Sequence, residues 1–335
     1  MFLPIHDRIV PGIGNPEAKI CIIGEAPGAE EDRVLRPFAG ASGTVLDHCL
    51  HAAGLTRQDC YITNTIKVKP KNNDIAPFYN ARTGTFTASG TGWLDSLREE
   101  LSNIHSNTIV TLGAVAMAAV TGLRSPTKYR GYVTQTSAQY GSRKVIPTYH
   151  PAATLRGQYI LRYYITADLR KAKSESAFPE IRRPVRQIVM PESIQECRDW
   201  IDKIQQVPEY VCDIEVENFE VSAISFAISP SVSISFTVGR SAWTEQEEFE
   251  LWQMLHTVLT NGAKKIFQNG IFDVAFLMTQ CGIHIPMNIV EDTMIAHHIM
   301  YPDMLKGLGF LGSLYCGAQE YWKDMVKFDN IKDES

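Results

Sequence analysis

The run Ala18-Lys-Ile-Cys-Ile-Ile-Gly24 constrains this chain more than any other stretch. A short, continuous apolar run reads as a buried strand. It breaks at once into Gly24-Glu-Ala-Pro-Gly28, a tight turn with a single carboxylate, Glu25. An acidic run follows, then Arg36-Pro-Phe38-Ala-Gly40, ahead of a helix starting near Ser42. A strand ending in a glycine turn sets backbone N–H groups and one side chain at the carboxyl edge of a sheet. That edge is where open α/β folds bind ligands. Taken alone, the G-x-x-x-G spacing reads first as a phosphate loop or an ordinary strand–helix turn.

The same alternation continues along the chain. A helix with Val45, Leu46, Cys49 and Leu50 on one face stops at Gly54, and Cys60 to Thr63 reads as a strand ending at Asn64. Lys67 to Asp74 is polar and basic, and irregular chain runs on to about Gly90. A helix is expected over 93–104, a strand over 108–112, an Ala-rich helix over 114–121, strands near 131–136 and 144–147, and a helix over about 158–173. This order argues for a parallel α/β sheet. Around residues 174–191 the pattern lapses into charges and prolines, which marks a linker. Beyond it come a helix at 192–205, three strands within 209–238, a helix at 244–260, a strand at 264–267, and helices from Asn269 to Gln280 and from Asp292 to about Met300.

At 335 residues the chain suits two domains. Its 44% apolar and 21% charged residues are ordinary for a globular protein. No apolar run reaches the roughly 18–20 residues that span a bilayer, and the start MFLPIHDRIVPG lacks a signal pattern. The expected place is the cytoplasm, without a membrane partner. The net charge of −5 is uneven: residues 1–180 carry +5 and residues 181–335 carry −10. A mildly basic half is compatible with phosphate contacts; the acidic half would repel nucleic acid unless metal ions neutralise it.

GEAPG with Glu31-Asp32 shortly after, then RPF-x-G-x-x-G, resembles the first motif of the family-4 type of uracil-DNA glycosylase. Three more signals follow in that family's order: Tyr61-Ile-Thr-Asn64, Thr108-Ile-Val-Thr-Leu-Gly113, and Tyr149-His150-Pro-Ala-Ala-Thr-Leu155-Arg156. The resemblance covers about the first 150 residues and implies roles. Uracil excision breaks a glycosidic bond through a cationic sugar while negative charge grows on the departing base, which must first leave the stack. Gly24 and Ala26 would frame the base and Phe38 would stack on it. Asn64 would donate to O4 and accept from N3–H, a pattern that cytosine reverses. His150 would hydrogen-bond O2, and Glu25 would hold the water or stabilise the sugar cation. Leu155 would fill the vacated stack and Arg156 grip a phosphate, with Lys67, Lys69 and Lys71 as further phosphate contacts.

The resemblance departs at the cysteines. Such glycosylases usually bind an iron–sulfur cluster through four of them. Here none precedes Cys21, and Val68 stands in the position after Asn64-Thr-Ile-Lys67. The expectation is a colourless protein with no cluster. The seven cysteines are scattered, with no C-x-x-C, and read as buried free thiols.

In the second half, Val211-Cys-Asp213-Ile-Glu215 closes a strand with two carboxylates at i and i+2, on one face. Gln268-Asn269-Gly-Ile-Phe-Asp273 sets Asn269 and Asp273 one helical turn apart, and Asp292-Thr-Met-Ile-Ala-His-His298 follows. These segments resemble the proofreading 3′–5′ exonuclease domain of family-A DNA polymerases. The resemblance implies that Asp213, Glu215 and Asp273 bind Mg²⁺ or Mn²⁺, with Asn269 and Asp292 in support. Asp292 is expected to fix local structure. The third motif of that family, Y-x-x-x-D, is not met: Gln319 stands four residues after Tyr315, and Met325 four after Tyr321. Ile295, Ile299, Leu308 and Leu311 are expected to form an exposed apolar face on which a polymerase fragment supplying that motif would dock.

The reading is therefore a three-layer, parallel-sheet α/β glycosylase domain at 1–173, a linker at 174–191, and a ribonuclease-H-like α/β exonuclease domain at 192–335, incomplete at its end. The implied activity is hydrolytic removal of uracil from single- or double-stranded DNA in phage replication or repair, in a bacterial cytoplasm. The glycosylase would need no cofactor. The rival readings are a non-catalytic uracil- or DNA-binding scaffold module and a small-molecule enzyme using the Gly24 loop for phosphate.

Overall fold

Four of the short apolar runs pair side by side. Cys60–Asn64, Ile20–Gly24, Thr108–Leu112 and Lys144–Thr148 form a parallel sheet in that order, with the short Thr134–Gln135 antiparallel at the edge. Each of the four is buried along its whole length, as parallel strands covered on both faces must be. Ile20 and Ile22 meet Val45, Leu46 and Leu50 of the helix Ala41–Ala52 and Ile165 and Leu169 of the helix Leu161–Glu175. Cys21 and Ile23 point the other way, against Leu97, Leu101, Ala116 and Val120 of the helices Ala88–Ser102 and Ala114–Thr121. Parallel strands with Gly24 in register with Asn64, and Leu112 with Thr148, bring four strand ends to one edge.

The helix expected from residue 93 starts earlier, at Ala88. Gly90 and Gly92 hide its first turn, because glycine is a poor helix former. Thr87 nevertheless caps it by accepting from Gly90 N at 3.2 Å, and a side chain on Gly90 would strike Phe78 O.

The structure is a computed structural model that describes residues 8–239 and 243–317; Tyr321 and Met325 lie outside them. The chain divides into two units, Met1–Arg183 with Gly309–Ser335, and Pro184–Leu308. The first unit thus takes in a distant segment. Arg130, 2% exposed, pairs with Asp168 and donates to Ser313 Oγ at 3.0 Å. Thr148 Oγ1 donates to the same Asp168 at 2.6 Å. Lys171 Nζ donates to Gly131 O and Cys316 O, each at 2.8 Å, and Tyr132 OH donates to Gly309 O. Leu311 is buried here, unlike Ile295, Ile299 and Leu308, so the apolar face expected of all four does not include it.

The second unit is a six-stranded mixed sheet in the order Val290–Asp292, Lys264–Phe267, Glu209–Glu217, Glu220–Ser229, Val232–Thr237, Gln187–Val189. The three long strands are antiparallel, and the outer pairings are parallel. Tyr210, Cys212 and Ile214 face the helices Ile194–Gln205 and Glu245–Thr260 in one apolar core. Gln187–Val189 lies within the stretch read as linker. Three mostly exposed residues carry too little periodicity to be recognised as a strand. No helix among the described residues is long and apolar enough to cross a membrane.

Candidate active site

The strand ends of the first unit surround a cavity of about 380 Å³ lined by Glu25, Ala26, Phe38, Asn64, His150 and Arg156, among others. That is the scale of a small-molecule pocket. Gly24 lies against two of these lining residues. A Cβ there would fall 2.6 Å from Phe38 Cζ and would also strike Asn64 Oδ1, so only glycine lets these two side chains approach.

Phe38 is 4% exposed with φ +53, a left-handed conformation unusual for a phenylalanine. Its neighbours hold it there. Arg57 donates to Phe38 O and, at 3.2 Å, to Pro37 O, and its Nε donates to Asp47 at 2.6 Å. Gly43 packs so close that any side chain would meet Phe38 O. The ring stacks on His150 with centroids 5.8 Å apart and planes at 30°.

Asn64, 3% exposed, ends its strand and lines the cavity. An amide that opens onto the cavity keeps its donor and acceptor available to a ligand. His150 follows the strand Lys144–Thr148, and its Nδ1 accepts from Ala152 N at 3.1 Å. That bond leaves the neutral ring's proton on Nε2. Burial, with the nearby Arg156 charge, drives the imidazole down to about 4, so the ring is neutral at ordinary pH. Gly113, φ +90, lies against His150 Cβ, where a side chain would crowd the ring. Burial raises the Glu25 carboxyl above its usual range, and Arg156 opposes that rise.

Glu31 belongs to this site although no local reading assigned it a role. It is 6% exposed and accepts from Gly28 N and Gly40 N at 3.1 Å each, tying together the two turns that carry Glu25 and Phe38. The G-x-x-E spacing of a capping box was the available signal. Arg57 carried no such signal, because it holds a backbone 19 residues away, whereas Gly43 closes the RPF-x-G-x-x-G pattern and packs on the nearby Phe38 carbonyl.

Lys67 does not reach the surface. It is 4% exposed and pairs with Glu100 beneath the sheet edge, so it is no phosphate contact. Lys69 is half-buried, and Lys71, Leu155 and Arg156 are exposed. Val68 packs with Ile66 and Trp93, joined by Ala26, Ile75 and Phe78, in an apolar cluster that braces this region. Burial pushes the Cys21 and Cys60 thiols up to about 12, the reverse of what thiolate ligands need. These residues do not fit an iron–sulfur cluster.

In the second unit, Asp213 and Glu215 share the outward face of their strand, between inward Cys212 and Ile214. Burial and the neighbouring Asp273 and Glu215 charges push Asp213 up to about 6. Asp273 is 5% exposed and accepts from Ile214 N at 3.0 Å. Asn269 is not on the helix with Asp273: the helix is Ile271–Gln280, and Asn269 stands before it at φ +62. The turn at Gly270 breaks the expected spacing, since Gly270 packs against Phe267 where a side chain would not fit. Asp292 accepts from Met294 N at 2.7 Å, Ile295 N at 3.1 Å and Gly270 N at 2.7 Å, so both its oxygens serve the backbone. Hard carboxylate oxygen donors suit a divalent cation in their chemistry. Among the described residues, however, no three acidic, His or Cys side chains converge on one point.

Residues 11–171 match the Uracil DNA glycosylase superfamily, and residues 188–332 match the family described as 3′-5′ exonuclease. The type-4 uracil-DNA glycosylase of Thermotoga maritima is 38% identical over 178 residues, which span 51% of this chain and 86% of that protein. The Archaeoglobus fulgidus type-4 enzyme is 38% identical over 152 residues, 44% of this chain and 71% of its own. Among solved structures, the catalytic core of RRP6 from Trypanosoma brucei is 14% identical, with a TM-score of 0.32, over 41% of this chain and 38% of that one.

Proposed function

The chain belongs, through its first half, to the type-4 uracil-DNA glycosylases, and from that premise we propose that the cavity at the strand ends excises uracil with Glu25, Phe38, Asn64 and His150 in direct contact. The observation that carries this is their convergence, from four turns spread over 126 residues of sequence, on one cavity. Phe38 stacks on the flipped base, a contact worth roughly 1–3 kcal/mol. The Asn64 amide donates to O4 and accepts from N3–H, and cytosine would present a donor to a donor. As the C1′–N1 bond breaks, its electron pair passes to the base, and the neutral Nε2–H of His150 donates to the growing charge on O2. Glu25 holds the water that adds to C1′, or shields the sugar cation, with the Arg156 charge opposing the rise that burial imposes on its carboxyl. The exposed Arg156, Leu155 and Lys71, with the half-buried Lys69, meet the DNA; Leu155, 48% exposed, is the side chain available to enter the vacated stack.

Incubation of a uracil-containing oligonucleotide with the protein in EDTA, followed by alkali, gives strand scission at uracil. Asn64→Asp relaxes the choice of uracil over cytosine. If no alkali-labile site forms with excess protein, the non-catalytic binding reading takes its place.

The second unit is read as the 3′–5′ exonuclease its family match describes. Asp213, Glu215 and Asp273 would hold magnesium or manganese, whose charge would offset their mutual repulsion and which, when bound, activates water for phosphodiester cleavage. Asn269 and Asp292 would support that site. A replication setting of phage type, with a polymerase fragment covering the exposed Ile295, Ile299 and Leu308, is the partner reading. The expected result is Mn²⁺ binding that weakens at least tenfold in Asp213→Asn. Equal Mn²⁺ affinity in wild type and variant would remove Asp213 from the site.

A further inference from the structure

Beyond the cavity rim lies a pair of aromatic side chains with no role in the chemistry above. The turn Pro151–Arg156 ends at Gly157, φ +88. The chain then enters the helix Leu161–Glu175 through successive tight turns: Leu161 N to Gln158 O, Arg162 N to Tyr159 O and Tyr163 N to Ile160 O, each at 3.1 Å. This winding puts Tyr159, Arg162 and Tyr163 on one face, because residues three and four apart on a helix are neighbours. Leu161, Tyr164 and Ile165 are buried on the other. Tyr159 is 66% exposed and Tyr163 is 65% exposed. Tyrosine in a folded protein is ordinarily half-covered or more, its ring packed and its hydroxyl bonded. Here neither phenol has a hydrogen-bond partner among the described residues, and Arg162 is exposed between them with no ion-pair partner there.

Their position points to what covers them. Arg156 lines the cavity, and Tyr159 is three residues on, so their Cα atoms are at most about 11 Å apart along the chain. Any strand whose base enters the cavity must pass this rim. We propose that Tyr159 and Tyr163, with Arg162 on the backbone phosphates, form a stacking platform for unpaired bases of the uracil-bearing strand. The proposal rests on the reading that the cavity receives uracil. Unpaired bases are the fitting occupant because a tyrosine ring stacks on a base face. In a duplex the faces are covered by neighbouring base pairs and only the edges show in the grooves, whereas a single strand offers its faces freely.

The test compares kcat/KM for uracil release from a single-stranded oligonucleotide and from the matching duplex. It uses wild type, Tyr159→Ala/Tyr163→Ala and Tyr159→Phe/Tyr163→Phe. The expected result is that the alanine pair lowers the single-strand to duplex ratio by roughly tenfold or more, the scale of one lost stacking contact. The phenylalanine pair keeps the rings and holds the wild-type ratio. An unaltered ratio in the alanine pair overturns the proposal, as does an equal loss on both substrates or a loss in the phenylalanine pair matching that in alanine. Wild-type protein that releases uracil from neither substrate would instead sink the underlying reading of the cavity. Equal melting temperatures confirm that the variants fold, as expected for exposed side chains.

Discussion

Replacing His150 with alanine lowers kcat for uracil release by roughly two to three orders of magnitude and changes KM far less. The Nε2–H donor faces charge that exists only as the base departs, so its loss falls on the transition state; such donors are worth about 3–4 kcal/mol. The geometry assigns the proton to Nε2, because Nδ1 is engaged by Ala152 N–H. A fall of less than tenfold would mean that another group supports O2. The protonation state is checked separately. With the imidazole driven down to about 4 by burial, an NMR titration of His150 finds the ring neutral at pH 5 and above. A midpoint near 6.5 would contradict the neutral donor. The linkage follows in sign: between about 6.5, the ordinary histidine value, and 4, the unfolded chain binds a proton that the folded site refuses. His150 therefore makes the folded protein lose stability as pH falls through that window, and contributes no pH dependence above it.

Replacing Arg130 with alanine destabilises the first unit by roughly 3–5 kcal/mol, the usual cost of removing one partner of a buried ion pair. Arg130 answers Asp168 and Ser313 and lies 5.4 Å from the ring centroid of Tyr164 and 5.1 Å from that of Phe310. Without it, Asp168, 1% exposed, keeps only the Thr148 hydroxyl among the partners described above. At roughly 2–4 °C per kcal/mol for a unit of this size, the melting temperature falls by about 6–20 °C. Arg130→Met with Asp168→Leu recovers much of that loss, since an apolar pair leaves no charge stranded. A fall under 2 °C for the single variant would show that water reaches Asp168 and the pair is not buried in solution.

The residues that line the cavity were legible because each belongs to a local pattern, and Glu25, Asn64 and His150 lie at or just past a strand end. Glu25 and Phe38 sit in one glycine-rich stretch, Asn64 closes an apolar run, and His150 precedes a proline. A parallel sheet brings such ends to one edge whatever the loops between them. The Asp213–Glu215 pair was legible for a related reason, since strand geometry alone puts i and i+2 on one face. What stayed hidden depended on partners far along the chain. Lys67 looks like its neighbours Lys69 and Lys71 in sequence, yet Glu100, 33 residues away, draws it inward and makes it a structural cation. Arg57 holds the left-handed Phe38 by donating to backbone carbonyls 19 and 20 residues away, contacts that leave no trace in residue patterning. Ser313 reaches Arg130 across 183 residues, so that a segment read with the second domain completes the first. Local periodicity and turn chemistry thus determined the strands, their buried faces and the residues at their ends. Tertiary structure alone decided which charges are buried and which segment closes each core, because a burial cost is offset only by a partner whose place the whole fold sets.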